Sequence, residues 1–193
     1  MIRFLNDETV GGYRYGKGAI ARFDAATEAQ LMAAVDAENY PRSLLISQAY
    51  SPATRTSENS SADTRYVTLA SVTVPAGTMN YNGKIVIEQD WKYTNSSSNK
   101  TLRVDWGGEW ITGPAVSTSA RACFMLAIKN ANSLRAQTIL NSTYFSTSTL
   151  DTTASADTTQ DVAIEFRCNW AANVASEQIT LLGYSIWYYP GND

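Results

Sequence analysis

The sequence predicts a mainly β protein, a jelly-roll-like antiparallel β-sandwich preceded by a small α+β module. Three observations lead there. From residue 65 onward apolar and polar residues alternate at period two, the spacing of a half-buried strand. Turn clusters rich in Gly, Pro, Asn and Ser separate the alternating runs at regular intervals. The chain of 193 residues also holds 19 Ser and 21 Thr, hydroxyl side chains suited to loops and to the solvated face of a sheet.

Residues 1–46 read as a module of their own. A short strand at 2–5 and a turn at Gly11-Gly12 precede an extended segment over 13–23, broken at Gly16-Lys17-Gly18. Asp24 is placed as the N-cap of a helix through Glu38, a run of good helix formers with Glu28 near the positive end of the macrodipole. Leu31, Met32 and Val35 make its apolar stripe, and Asn39-Tyr40-Pro41 stops it. Residues 47–64 have almost no large apolar side chain to offset their ordering entropy, so they read as a polar linker or arm.

Residues 65–193 carry the sandwich. Strands are expected at 66–74, 84–93, 101–106, 110–111, 121–129, 136–145, 161–170 and 178–189, with Gly107-Gly108 as a turn and a long Ser/Thr loop over 146–159. The clearest alternation places Val162, Ile164, Phe166, Cys168 and Trp170 on one face. The last strand is apolar on both faces, Leu182, Tyr184, Ile186 and Tyr188 on one and Ile179, Leu181, Trp187 and Tyr189 on the other, so one face is expected against a loop or another subunit.

Composition removes most chemistry. With no histidine there is no Ser-His-Asp or Cys-His nucleophile and no His-ligated metal, and no enzymatic activity or cofactor is expected. A formal net charge of -3 gives no footprint for nucleic acid or an anionic membrane. No apolar run approaches the ~20 residues of a membrane span, and residues 1–6 lack the apolar stretch of a signal peptide. Cys123 and Cys168 both sit in apolar runs and read as buried free thiols, with a single bridge between them as the alternative.

Residues 16–38, a Gly-x-hydrophobic strand running into an Asp-capped Ala/Leu helix, resemble the small N-terminal module of tailed-bacteriophage structural proteins. The passages Leu69-Ala70-Ser71-Val72-Thr73-Val74-Pro75-Ala76-Gly77, Trp91-Lys92-Tyr93-Thr94-Asn95-Ser96 and Lys100-Thr101-Leu102-Arg103-Val104 are similar to β-sandwich modules of phage head decoration proteins, head fibres and tail fibres. The resemblance implies a virion component without catalysis. Its N-terminal module would anchor to the major capsid protein or another virion protein through Phe23, Leu31, Met32, Val35 and Tyr40, and the arm would lie across neighbouring subunits. The sandwich would form a homotrimer through Leu182, Tyr184, Ile186 and Tyr188.

Other constellations compete with plain structural readings. Trp106, Trp110, Asp105 and Glu109 could form a glycan platform beside Gly107-Gly108, as in a tail-fibre receptor-binding module, although buried aromatics are the rule in sandwiches. Glu88 or Asp90 with Asp105 or Glu109 could stand ~5–9 Å apart as a glycosidase pair, yet cross-strand charge pairs on a solvated face explain them as well. Asp151, Asp157 and Asp161 offer oxygen ligands for calcium without the spacing of a known loop. Asn95, Asn99 and Asn141 match a glycan acceptor pattern that polar composition produces by chance.

Overall fold

The computed structural model describes residues 2–3, 8–10, 13–15, 20–21, 44–112, 115–142 and 152–191. The chain divides into two compact units, Met1–Arg42 and Ser43–Asp193. In the first, β1 (Ile2–Arg3) pairs antiparallel with β4 (Ile20–Ala21), and β2 (Glu8–Val10) with β3 (Tyr13–Tyr15). The expected helix over 24–38 and the proposed anchoring residues Phe23, Leu31, Met32, Val35 and Tyr40 lie outside the described residues.

The second unit is all β among its described residues, built as two antiparallel sheets. The larger contains β5 (Leu44–Ala49), β6 (Ala53–Glu58), β8 (Lys84–Tyr93), β12 (Arg121–Asn130), β13 (Gln137–Ser142), β14 (Thr152–Ala154) and β16 (Ala175–Tyr189). Its order is β14-β13-β12-β8-β16-β5, and β6 also pairs with β16. The smaller contains β7 (Val67–Val74), β9 (Lys100–Trp106), β10 (Glu109–Thr112), β11 (Ala115–Val116) and β15 (Val162–Trp170). Its order is β10-β9-β15-β7, with β11 also on β9. Gly107 and Gly108 make the two-residue turn between β9 and β10, and both have positive φ (58° and 85°), the geometry a primed hairpin turn requires.

One apolar core joins the two sheets. Alternation delivers it: Val104, Trp106, Ile164 and Phe166 from the smaller sheet and Ile85, Ile87, Leu126 and Ile128 from the larger are all buried. Phe166 stacks on Tyr184 across the gap, ring centroids 4.7 Å apart. Trp91, Trp106 and Trp170 are fully buried, and each indole N–H has a side-chain acceptor: Gln89 Oε1 at 2.8 Å, Gln137 Oε1 at 3.4 Å and Glu177 Oε2 at 3.2 Å. That pairing avoids the cost of a buried unsatisfied donor.

Two sequence expectations need correction. The last strand is apolar on both faces because its register shifts between Leu181 and Gly183. Ile179 and Leu181 point inward before the shift; Ile186 and Tyr188 do so after it. Ile186 is 0% exposed and Tyr188 8%, so the face expected to meet another subunit is occupied by this chain's own core.

The polar stretch 47–64 is part of the sandwich: β5 and β6 both pair with β16. Composition misleads there because a backbone ladder and two charged side chains replace apolar burial. The Asp63 carboxylate, almost fully buried, accepts N–H bonds from Glu58 (3.0 Å), Ser60 (3.2 Å) and Val174 (3.3 Å). Burial pushes its pKa up, but these backbone donors prevail and hold it below the ordinary carboxylate value. The Arg55 guanidinium donates to the carbonyls of Ala62 (2.7 Å), Arg65 (2.8 Å) and Cys168 (3.0 Å), and lies 4.9 Å from the Trp170 ring centroid.

One ion pair is buried beside Trp170. Lys100, 0% exposed, reaches Glu177 Oε2 at 3.0 Å and also donates to Ser96 Oγ (2.9 Å) and the Ser98 carbonyl (2.8 Å). Burial pushes the Glu177 pKa up, yet hydrogen bonds from Ser96 and Lys100 outweigh it and keep the carboxyl below its usual value. A depressed pKa contributes stability above the unfolded-state value, about 4.3, and that contribution is lost as pH falls through the folded-state value. Lys100→Met leaves Glu177 buried without its counter-charge and is expected to lower stability by about 3–5 kcal/mol in urea unfolding at neutral pH. The deficit relative to wild type should shrink at acid pH as Glu177 protonates; a deficit that does not change with pH would mean that lost packing alone destabilises the variant.

Candidate functional site

With the inner faces filled, chemistry is left to the outer faces. On the smaller sheet, β9 points Arg103 and Asp105 outward and β15 adds Arg167. Asp105, 1% exposed, is bidentate with Arg103 (Nη2 to Oδ2, 2.8 Å; Nε to Oδ1) and accepts from Arg167 Nη1 at 2.9 Å. The Arg103 guanidinium lies between two rings, 4.6 Å from the Tyr66 centroid and 5.3 Å from that of Trp110. Trp110 itself is 59% exposed. Its register partner is Asp105, whereas Glu109 pairs with Trp106.

Strand alternation therefore splits the four glycan-platform residues. Trp106 is core, and Glu109 is held by the backbone N–H (3.1 Å) and hydroxyl (2.5 Å) of Ser155. Asp105 is covered by its two arginines, which leaves Trp110 as the member that presents a ring to solvent. Tyr66 and Arg103 are the residues beside it that the sequence alone does not single out: Arg103 lies on a strand position of readable outward parity, Tyr66 immediately precedes β7, and their meeting depends on strand pairing.

On the larger sheet an open depression of about 370 Å³ is bordered by Tyr50, Glu88, Asp90, Cys123, Met125 and Ser185. Tyr50 sits over Gly183, where an added Cβ would come within 2.8 Å of both the Tyr50 ring and the Ala49 carbonyl. Asp90 pairs with Arg121 (Nε to Oδ1, 2.9 Å) and accepts the Cys123 thiol at 3.3 Å. The Arg121 hydrogen bond is the main cause that holds the Asp90 pKa below its ordinary value. Glu88 accepts the Ser185 hydroxyl at 2.7 Å.

The proposed carboxylate pairs do not form. Glu88 and Asp90 face outward from the larger sheet and Asp105 outward from the smaller, on opposite sides of layers that pack roughly 10 Å apart. Asp157 is paired with Arg135 and Asp161 accepts the Ala76 N–H, while Asp151 lies outside the described residues. Asn95 and Asn99 are exposed, and Asn141 lies in β13.

Both cysteines are free, but only Cys168 is buried, its pKa pushed up to about 11 by desolvation. Cys123 is exposed on the larger sheet, where desolvation and the Asp90 carboxylate raise its pKa. A thiol-reactive chromogenic disulfide should label one cysteine per native chain, and Cys123→Ser should remove that signal. Labelling of Cys168 without denaturant would contradict the packing of β15.

The described residues of the second unit thus define an antiparallel β-sandwich with two outer faces. No protein-family model and no curated protein matches the chain. It is similar to a chain in the structure of infectious bursal disease virus, Gx strain, with 11% identity over 80% of this chain and 38% of that one, TM-score 0.37. The VP2 subviral particle of the same virus gives 12% identity, 82% and 44% coverage and a TM-score of 0.30. A protein of unknown function from Shewanella oneidensis MR-1 gives 10% identity, 89% and 96% coverage and a TM-score of 0.29. The chain thus spans less than half the length of the two viral chains.

Proposed function

We propose that this protein is a non-enzymatic structural component of a virion, of the head-decoration or head-fibre type of tailed bacteriophages. The observation that carries the reading is the division at residue 42 into a small unit and a sandwich with a complete core of its own. The N-terminal sequence resemblance assigns the small unit to anchoring, and the sandwich is then the displayed part. Binding only the assembled shell would stabilise it by mass action.

The division also sets the test. A chain of residues 43–193 retains β5, β6 and the Asp63 and Arg55 contacts; it should fold, and should no longer co-sediment with capsids that lack this protein. Retained capsid binding would overturn the anchoring role of the first unit. Cutting instead at residue 65 removes both strands from β16 and should abolish cooperative unfolding.

A second reading rests on Trp110. Its 59% exposure beside Arg103 and Tyr66 favours recognition of a host surface glycan by the smaller sheet. On a glycan array the wild-type chain should then bind a defined set of sugars, with Trp110 fluorescence changing on titration and Trp110→Ala losing the signal. An array with no response, or binding unchanged by Trp110→Ala, would end this reading.

A further inference from the structure

β7 closes the smaller sheet, and among the described residues no strand pairs with its outer side. Such an edge presents a row of backbone donors and acceptors, and native sheets ordinarily protect it with lysine, proline, an inward charge or a bulge. β7 reads Val-Thr-Leu-Ala-Ser-Val-Thr-Val, with no charge, no glycine and no proline inside it. A register shift against β15 leaves Leu69 unmatched, but residues 70–74 pair one for one with β15 and form a regular edge. The other edges are poorer templates. β14 and β11 have three and two residues, and β10 is interrupted between Trp110 and Thr112. The β5–β6 side carries Arg55 and Glu58 and breaks at residues 50–52.

We infer that β7 is a self-association edge, on which a second copy of this chain adds its own β7 antiparallel to join the two smaller sheets into one. The occupant is specified by the strand itself. A two-fold axis through Val72 sets Ala70 opposite the second copy's Val74, Ser71 opposite its Thr73, and Val72 opposite its counterpart. Val72 and Val74 are buried toward the core and Ala70 is partly buried against it, while Ser71 and Thr73 are exposed on the outer face. Every pair therefore matches in chemistry and in face, the condition that fixes a strand register. The contact uses the same patch on both copies, as a closed two-fold dimer requires. This dimer stands apart from the virion reading and does not depend on it.

The test is sedimentation equilibrium of the full chain over about a hundredfold range of concentration, enough to shift a monomer–dimer balance, with amide exchange at 70–74 followed in parallel. The wild type should pass from monomer to dimer mass while the alternate amides of 70–74 that point away from β15 become protected. Ser71→Lys with Thr73→Lys places like charges opposite each other at exposed positions; this variant should keep its circular dichroism and remain monomeric. The same should hold for Ser71→Glu with Thr73→Glu, and mixing the two variants should restore the dimer. A wild type that is monomeric throughout, association that survives the lysine pair, or a mixture that stays monomeric would each overturn the inference.

Discussion

The register shift in β16 is the constraint on which the larger sheet depends. Leu181 pairs with Trp91 and Gly183 with Asp90, so Leu182 has no opposite residue on β8. Such a bulge reverses the parity of everything that follows. Without it Ser185 and Trp187 would point into the core while Ile186 and Tyr188 faced water. The same point divides the other side of β16: β6 pairs with residues up to Leu181, and β5 with residues from Tyr184 on. The chain between β5 and β6 is thereby carried past Gly183, where the absence of a Cβ lets Tyr50 settle on the sheet. One extra residue thus sets the core of the strand, splits its outer neighbours and places the ring beside the depression on the larger sheet.

Polar groups inside the sandwich act as specifiers rather than as its source of stability. The driving force is the buried apolar surface, three whole tryptophans included. Each indole N–H and each buried charge then admits few alternatives. Gln137 accepts from Trp106 and donates to Asn130 Oδ1 (3.0 Å) and to the Ala156 carbonyl (3.0 Å), tying β9, β12, β13 and the 155–160 loop together. Lys100 and Glu177 do the same for β9, β16 and the 94–99 loop. A buried ion pair has little net value against an apolar replacement of the same shape, but a misregistered strand would leave one charge alone at a cost of several kcal/mol. Such pairs penalise wrong registers more than they reward the right one.

How much of this is legible in the sequence follows from what period two can and cannot encode. It states which residues of a strand share a face, and in 84–93 and 161–170 it does so correctly: Ile85, Ile87, Trp91 and Tyr93, and Ile164, Phe166, Cys168 and Trp170, are all core. Period two alone also separates Asp105 from Trp106, since neighbours on a strand face opposite ways. It does not say which of two outer faces a polar residue occupies, and that is why Glu88 and Asp105 read as candidates for one site while standing on opposite sides. A bulge is invisible to it, so β16 reads as a strand with two apolar faces. β5 and β6 are hidden for another reason: their partner lies more than a hundred residues later, and their order rests on backbone ladders with Arg55 and Asp63, neither of which alters composition.

The outer faces share an economy of charge that limits how they can recognise anything. Asp105 is matched by Arg103 and Arg167 on one face and Asp90 by Arg121 on the other, and in the loops beyond the faces Asp157 is matched by Arg135. With a formal net charge of -3 over the whole chain, little field remains to steer a charged partner from a distance. What these faces present is ring surface, at Trp110 and Tyr50, set among hydroxyls and guanidinium groups whose charge is already satisfied. Ring surface gains from desolvation and close fit, and satisfied charges contribute direction without long-range pull. Salt should therefore matter less than shape for any ligand of these faces. An edge that lacks charge altogether, as β7 does, extends the same logic from the faces of the sandwich to its rim.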